Sequence, residues 1–467
     1  MLTDLSWLDP GHIFPPPAEK ERLDTYKQNE QLFLTKHDAV WKASFDRLAF
    51  LYRKRSMDVQ TILNYHQLLS KKTADFVCSE PPIVELRGSA GNALEEMLDH
   101  QQFFSRLYEA IIDVSRFGNG ILKIVDKRVT IVAAGHWFPV VSPRDRKQVT
   151  HHVVAYPISP DANGKYTQLY VEIHTSGLVE TRTYAFDTRD GERGAIGSLA
   201  QAATVEKSML PGFAVFPLSN VTHSGSVFGL DDYAVVNSIV AQLMWRLHCA
   251  DSIMDKHSEP SVTGPASALE KDERTGLWLF KAGNYFARDT NQSPDVSYVT
   301  WDGNLEANFR EMDLLLNQLY ILSEMGAAFT EGASEGTTSS GTALKLRLVS
   351  PRIKAQRLTG INDATVRETI TALALVNGMT IDDNLLMLTW RDGLPNDPVE
   401  DANRRNVETG GRATKSQYSA IKERGLSDAE VEAELEQIRL EAAANSPPVL
   451  GIVDPFEDVT DGDATGL

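Results

Sequence analysis

Apolar residues recur at helical spacing between Glu19 and Lys72, through Phe45, Leu48 and Leu51 and again Ile62, Tyr65 and Leu69. This predicts two or three helices behind the proline-rich Pro15-Pro16-Pro17. A further helical stretch covers Ala93 to Ser115, after which the period drops to two. Gly120-Ile-Leu-Lys-Ile-Val125, Val129 to Ala133, Val153 to Tyr156, Leu169 to His174 and Val179 to Phe186 read as strands, separated by the turn residues Asp126-Lys127, Asn163-Gly164 and Ser176-Gly177. An α+β region therefore ends near Leu230.

The pattern then lengthens. Asp231 and Asp232 are good helix openers, and Val236, Val240, Leu243, Leu247, Ala250 and Met254 step by four and three, predicting one long packed helix. Pro260 and Gly264 stop it. Two strands are expected about Ala282-Gly283, Gly276 to Lys281 and Asn284 to Arg288, and a third at Val296 to Trp301. A second amphipathic helix runs from Asn304 to Met325, with Leu305, Phe309, Met312, Leu316 and Leu319 on one face and Glu306, Arg310, Asp313 and Asn317 on another. Gly326 to Gly341 is a loop of Gly, Ser, Thr and Glu, followed by a helix from Thr342 that Pro351 should kink and Gly378 should end. Leu385 to Trp390 reads as a strand. Helices are expected from Asp397 to Thr409 and from Ser427 to Ala444, the latter opened by a capping box. The stretch after Ser446 predicts a disordered acidic tail.

Composition narrows the chemistry. The 467 residues carry 46 basic and 64 acidic side chains, a formal net charge of -18, which disfavours a protein that grips nucleic acid by neutralising phosphates. Cys78 and Cys249 lie far apart, so neither a disulfide framework nor a zinc knuckle is expected. A reduced compartment fits that cysteine usage. No signal peptide pattern and no apolar run of membrane-spanning length is present, so a soluble chain is expected.

The order helix, β insertion, helix, Gly/Ser/Thr loop, kinked helix resembles the core of tailed-bacteriophage portal proteins. Local strings add to it. Ser340-Gly-Thr-Ala-Leu-Lys-Leu-Arg-Leu348 is similar to the S-G-x-A-L-K motif of the siphovirus-type branch, and Gly118-Asn-Gly-Ile-Leu-Lys123 to its G-x-G-x-x-K strand start. Trp390-Arg-Asp-Gly-Leu-Pro395 and Gly425-Leu-Ser-Asp-Ala-Glu-Val-Glu-Ala-Glu434 resemble its C-terminal pattern. The resemblance implies an α+β portal fold: a wing with N-terminal helices (1–230), stem helices (231–257 and 304–325), a β clip (258–303), a tunnel loop (326–341), a kinked helix with a wing strand (342–396), a helical crown (397–445) and an acidic tail (446–467). It further implies a ring of twelve subunits at a capsid vertex, through which double-stranded DNA is packaged and ejected. Implied partners are the terminase large subunit, head-completion or adaptor proteins, and the major capsid and scaffolding proteins, with no membrane and no cofactor. The implied location is the virion, with host cytoplasm during assembly.

Within that fold Glu306, Arg310, Asp313 and Asn317 are candidates for the channel face, because an acidic wall keeps DNA mobile; a solvated helix face with an i,i+4 Glu306 to Arg310 pair is the plainer reading. Glu331, Glu335, Thr337, Thr338, Ser339 and Ser340 are candidate DNA-facing loop residues, against a plain surface linker. Lys281, Tyr285 and Arg288 are candidates for the clip interface, while Trp278 and Phe280 are expected to be buried.

An enzyme is the competing class. Gly332-Ala-Ser-Glu-Gly336 matches the nucleophile-elbow string literally, which would make Ser334 the nucleophile of an oligomeric hydrolase. A helix rather than a strand is expected before it, which disfavours an elbow. No phosphate-binding G-x-x-x-x-G-K-[ST] and no H-E-x-x-H occurs. His151, His152 and His248 are expected to be structural or surface groups, and Asp461-Gly-Asp463 lacks the spacing of a calcium loop. No catalytic residue and no metal site is assigned.

Overall fold

A computed structural model describes residues 1–51, 62–86, 91–258, 262–265, 270–271, 278–279, 285–288, 297–298, 305–326, 348–382, 385–391, 406–409, 415–422, 426 and 428–445. The chain divides into two compact units, Met1–Leu394 and Pro395–Leu467.

The first unit is α+β, as its patterning requires. Strand β1 (Ile13–Phe14) leads into helices α1 (Lys20–Phe33), α2 (His37–Leu51) and α3 (Tyr65–Cys78), then β2 (Ile83–Leu86), α4 (Gly91–His100) and α5 (Phe103–Phe117). The helical stretch expected from Ala93 to Ser115 is two helices, separated at Gln102, whose φ of 52° is left-handed. Helix α5 buries Phe103, Leu107, Ala110, Ile111, Val114 and Phe117 at steps of three and four, and each large apolar side chain so buried contributes about 1.5–3 kcal/mol. Gly118 caps it with φ 82° and an amide bonded to the Val114 carbonyl at 3.0 Å.

Ten strands follow: β3 (Asn119–Val125), β4 (Arg128–Val132), β5 (Trp137–Val141), β6 (Val149–Pro160), β7 (Tyr166–Thr175), β8 (Leu178–Asp190), β9 (Arg193–Leu199), β10 (Thr204–Lys207) and β11 (Val215–Ser219), with β17 (Leu386–Thr389) joining β2 from far along the chain. Strands β5 to β9 form an antiparallel meander with β1 on the edge and β10 also paired to β8. Strand β3 lies between β11 and β4 in a second sheet, and the β3–β4 turn uses Asp126 and Lys127 at φ 48° and 65°. All five strands expected from alternation are present. Strands β5, β9, β10 and β11 were not foreseen; Trp-Phe-Pro-Val-Val is buried at every position and Thr-Val-Glu-Lys is exposed at every position, so neither alternates.

Helix α6 (Asn237–Ser258) begins six residues later than the acidic openers suggest, because Asp231 Oδ1 caps the preceding turn by accepting from the amides of Tyr233 and Ala234 at 3.1 and 2.8 Å. Val236, Val240, Leu243 and Ala250 are buried as expected, but Met254 is exposed. The β insertion contains β12 (Val262–Pro265), β13 (Glu270–Lys271), β14 (Trp278–Leu279), β15 (Tyr285–Arg288) and β16 (Ser297–Tyr298). The strands expected about Ala282-Gly283 do not pair with each other: β14 pairs with β13, whereas β15 lies parallel to β12, which also pairs with β16. Gly264, read as a helix breaker, is a strand residue, and that concealed β12; Pro260 lies outside the described residues.

Helix α7 (Leu305–Leu322) packs on α6 through Met312, Leu315, Leu316 and Leu319, and Arg246 and Glu311 bridge the two helices at 2.8 Å. Phe309, assigned from spacing to the packed face, is instead 44% exposed, because it lies at the margin of the apolar stripe. Helix α8 (Val349–Val376) starts at Val349, so Pro351 falls in the first turn instead of two to three turns inside. There its missing amide hydrogen is one that no intrahelical carbonyl would have accepted, and the position requires no kink. Residues 342–347, the expected start of this helix, lie outside the described residues.

The second unit contains α9 (Gln417–Lys422), which the sequence did not suggest, and α10 (Asp428–Asn445), which matches the helix expected behind the capping box. Of the helix expected from Asp397 to Thr409, residues 406–409 are described and helical. The expected acidic tail, 446–467, lies outside the described residues.

Candidate functional site

The polar stripe of α7 forms as its spacing requires. Glu306, Arg310, Asp313 and Asn317, at steps of four, three and four, are all exposed, on the side away from the Leu319 core face. Arg310 donates to Glu306 Oε1 at 2.9 Å, with side-chain exposures of 79% and 70%. The stripe thus carries two carboxylates and one guanidinium, and water screens its one pair.

The other sequence candidates are placed less fully. Tyr285 and Arg288 are residues of β15, in parallel register with Val262 and Pro265, while Lys281 and Phe280 lie outside the described residues. Trp278 is a residue of β14, paired with Lys271. Glu331, Glu335, Thr337, Thr338, Ser339 and Ser340 fall in 327–347, outside the described residues, as does the whole Gly332 to Gly336 string with Ser334.

The flanks of that segment are described, and they carry a buried polar network. Lys354, on the second turn of α8 with its side chain 3% exposed, places Nζ 2.9 Å from Asp232 Oδ2 and 3.3 Å from the Ser323 carbonyl just beyond α7. Asp232 is itself held on every side. Its Oδ2 accepts from Ser115 Oγ at 2.7 Å, its Oδ1 from Asn220 Nδ2 at 3.0 Å, and its amide donates to the Ser115 carbonyl at 2.8 Å. One turn further along α8, the Arg357 guanidinium pairs with Glu324, whose backbone is left-handed at φ 58°. Asn362 then clasps β11, accepting from the Ser219 amide at 2.8 Å and donating to its carbonyl at 2.9 Å. Sequence reading missed Lys354 and Asn362. The signal was available: both occupy the row Pro351, Ala355, Leu358, Val366 and Ile370 that α8 buries, and a polar residue in a buried row needs a partner.

The Gly118-Asn-Gly-Ile-Leu-Lys123 string also acquires a physical account. A Cβ on Gly118 would lie 2.2 Å from the Gly229 carbonyl oxygen, and one on Gly229 would lie 2.1 Å from the Gly118 carbonyl oxygen, so two backbones cross here in contact. Asn119 Oδ1 accepts from the Gly229 amide at 3.0 Å and fixes the crossing. Lys123 reaches from β3 to Glu172 on β7, Nζ to Oε2 2.7 Å. Burial opposes ionisation of Glu172, but the hydrogen bond from His174, the charge of Lys123 and the hydroxyl of Tyr170 outweigh it and hold the carboxyl down at about 2. Glu172, His174 and Tyr170 line a cavity of about 600 Å³ that Lys127, Lys207 and Leu210 also border.

The histidines do not gather into a site. His152 is buried and accepts from the Trp137 indole at 3.1 Å, and burial pushes its imidazole down to about 3. His151 is half-buried beside Thr150, and His248 is half-buried against Trp245. Among the described residues no group of three or more His, Cys, Asp or Glu side chains is arranged to hold a metal ion, and no helix is long and apolar enough to cross a membrane.

Residues 16–201, from before α1 to the end of β9, match the family model described as phage portal protein, SPP1 Gp6-like. The portal resemblance read from the sequence is present over that stretch. Among solved structures, the virion of a native gene transfer agent particle contains a chain that is 10% identical, with a TM-score of 0.41, covering 78% of this chain and 89% of that one. The neck of the empty particle, computed with C6 symmetry, gives 12%, 0.38, 78% and 90% for the same quantities. The neck of the native particle, computed with C12 symmetry, gives 12%, 0.35, 78% and 89%. A search of curated proteins finds no match.

Proposed function

We propose that the chain is a portal subunit, one copy of a ring through which double-stranded DNA enters and leaves a capsid, and that it works as a conduit without catalysis. The observation that carries this reading is the portal-family match over residues 16–201, the stretch that holds most of the α+β region. In this reading residues 1–230 are the wing, α6 and α7 the stem, the β12 to β16 insertion the clip, 326–341 the tunnel loop, 342–396 the long helix and wing strand, 397–445 the crown and 446–467 the acidic tail. Tyr285 and Arg288, with Lys281, belong to the clip interface.

The stripe Glu306, Arg310, Asp313, Asn317 faces the lumen. A wall of net negative charge suits that position, since each phosphate contact that releases counterions would add a barrier to sliding. An exposed, hydrated stripe with its single cation already paired offers DNA little to hold. The loop residues Glu331, Glu335, Thr337, Thr338, Ser339 and Ser340 meet the duplex where the stem opens. The ring sits at one capsid vertex, docks the terminase large subunit during filling, binds head-completion or adaptor proteins afterwards, and contacts capsid and scaffolding proteins. It assembles in host cytoplasm, with twelve subunits as the family resemblance implies.

Electron microscopy of the purified full-length protein tests the proposal. Rings with a central hole are expected. A monomer or compact dimer with esterase turnover that Ser334→Ala abolishes would replace it with the hydrolase reading.

A further inference from the structure

The polar network around Lys354 does more than satisfy buried groups. A buried ion pair is seldom the most stabilising occupant of its site, because desolvating both charges offsets their attraction and well-packed apolar side chains of similar volume often serve as well or better. Such a pair does supply direction: an ammonium with fixed acceptors accepts one arrangement of the chains that carry them. Here the acceptors come from two places that the sequence separates by about ninety residues. Asp232 stands at the turn leading into α6, and the Ser323 carbonyl stands at the exit of α7. The lysine itself lies on the second turn of α8. One amine therefore fixes the beginning of one helix, the end of another and the start of a third at a single point. The Arg357 to Glu324 pair holds the same α7 exit one turn away, at a residue whose left-handed backbone an ordinary side chain does not favour.

We infer that Lys354 is a positioning residue that locks the exit of α7 and the start of α8 to the turn before α6, so that both flanks of 327–347 are held in one place while the exposed stripe of α7 keeps its orientation. This rests on the conduit reading for its functional half, since held flanks matter there for how a polar loop meets a moving duplex. Its structural half stands on the distances alone.

The test is the double substitution Asp232→Asn with Lys354→Met in the full-length protein, which removes both charges, keeps volume and leaves an amide at position 232 to meet Ser115 and Asn220. The expected outcome has three parts. The urea midpoint stays at or above that of the parent, amide hydrogen exchange at position 232 and at Met325, each taken relative to its intrinsic rate, accelerates at least tenfold, and DNA filling of heads assembled with the variant falls at least tenfold although rings still form. Exchange at the parent's rate would overturn the inference, and so would faster exchange with undiminished filling. A double variant that fails to fold would also overturn it, because the pair would then be holding the fold together and not positioning its parts. If the parent itself forms no rings, the conduit reading fails on that result, and the exchange rates still decide whether Lys354 locks the three helices.

Discussion

Lys123 and Lys354 are both buried and both paired with a carboxylate, 2.7 Å from Glu172 and 2.9 Å from Asp232, yet the two pairs hold the molecule in different ways. Lys123 and Glu172 join neighbouring sheets beside a cavity, and Glu172 has His174 and Tyr170 as further partners. Losing Lys123 there leaves Glu172 with those partners and with water in the cavity. Lys354 is sealed more tightly: its side chain is 3% exposed against 11% for Lys123, and among the described residues its contact beyond Asp232 is the Ser323 carbonyl at 3.3 Å. The lysine of the sheet pair thus stays closer to water than the lysine where the helices meet. A sheet is already held by its ladder, whereas helices meeting at their ends have few backbone bonds to share.

The sharpest way to break this comparison is to strand each lysine in turn. Asp232→Leu should lower stability by about 3–5 kcal/mol, as an uncompensated buried charge does, while Glu172→Leu should cost about 1–3 kcal/mol. Urea unfolding of both variants measures the difference, and equal losses would end the distinction.

Acid offers a second, smaller contrast. Glu172 ionises at about 2 when folded against an ordinary value of 4.5, so between these pH values the unfolded chain binds more protons than the folded one. Stability contributed by the pair is complete above about pH 4.5 and is lost as pH falls towards 2. His66 and His152, both pushed down to about 3 chiefly by burial, act earlier, because the unfolded chain takes up their protons from about pH 6.5 downwards. Each such proton gives a slope of about 1.4 kcal/mol per pH unit within its window. Glu172→Gln should flatten the unfolding midpoint below pH 4.5 and leave the slope between 4.5 and 6.5 in place, whereas His152→Phe should reduce the slope from about pH 6.5 down to about 3.

The smallest effect on stability belongs to the stripe. Glu306→Lys with Asp313→Lys should shift unfolding by no more than about 0.5 kcal/mol, since these side chains are exposed and a surface helix pair is worth little. The same variant should slow DNA filling, with the loss deepening as salt is lowered. An unchanged filling rate would return the stripe to an ordinary wet helix face.

What the sequence made legible follows the same divide. Strict periods survive translation into structure: strands β6, β7 and β8, the α6 row from Val240 to Ala250 and the exposed polar row of α7 are where alternation or heptad spacing places them. Residues whose surroundings come from elsewhere in the chain were harder to read. Val262 to Pro265 pairs as a strand despite its breakers because β15 and β16 flank it, Phe309 turns outward at the edge of a stripe too narrow to include it, and Lys354 looks like a surface lysine until Asp232 is brought to it. The resemblance behaved likewise. In the sequence the resemblance lies mostly in element order after Leu230, while the family match covers residues 16–201 and includes, of the four strings, Gly118 to Lys123 alone.

That string holds the crossing of Gly118 and Gly229, where each carbonyl oxygen occupies the space a methyl group on the other residue would need. Most tight contacts between side chains can be repaired by shrinking a neighbour. Here there is no side chain left to shrink, so neither position has a second-site suppressor at the other. In a saturation library the pair would behave as a genetic dead end: two positions more than a hundred residues apart, each closed to every alternative, with compensation available only from loops able to move the backbone itself.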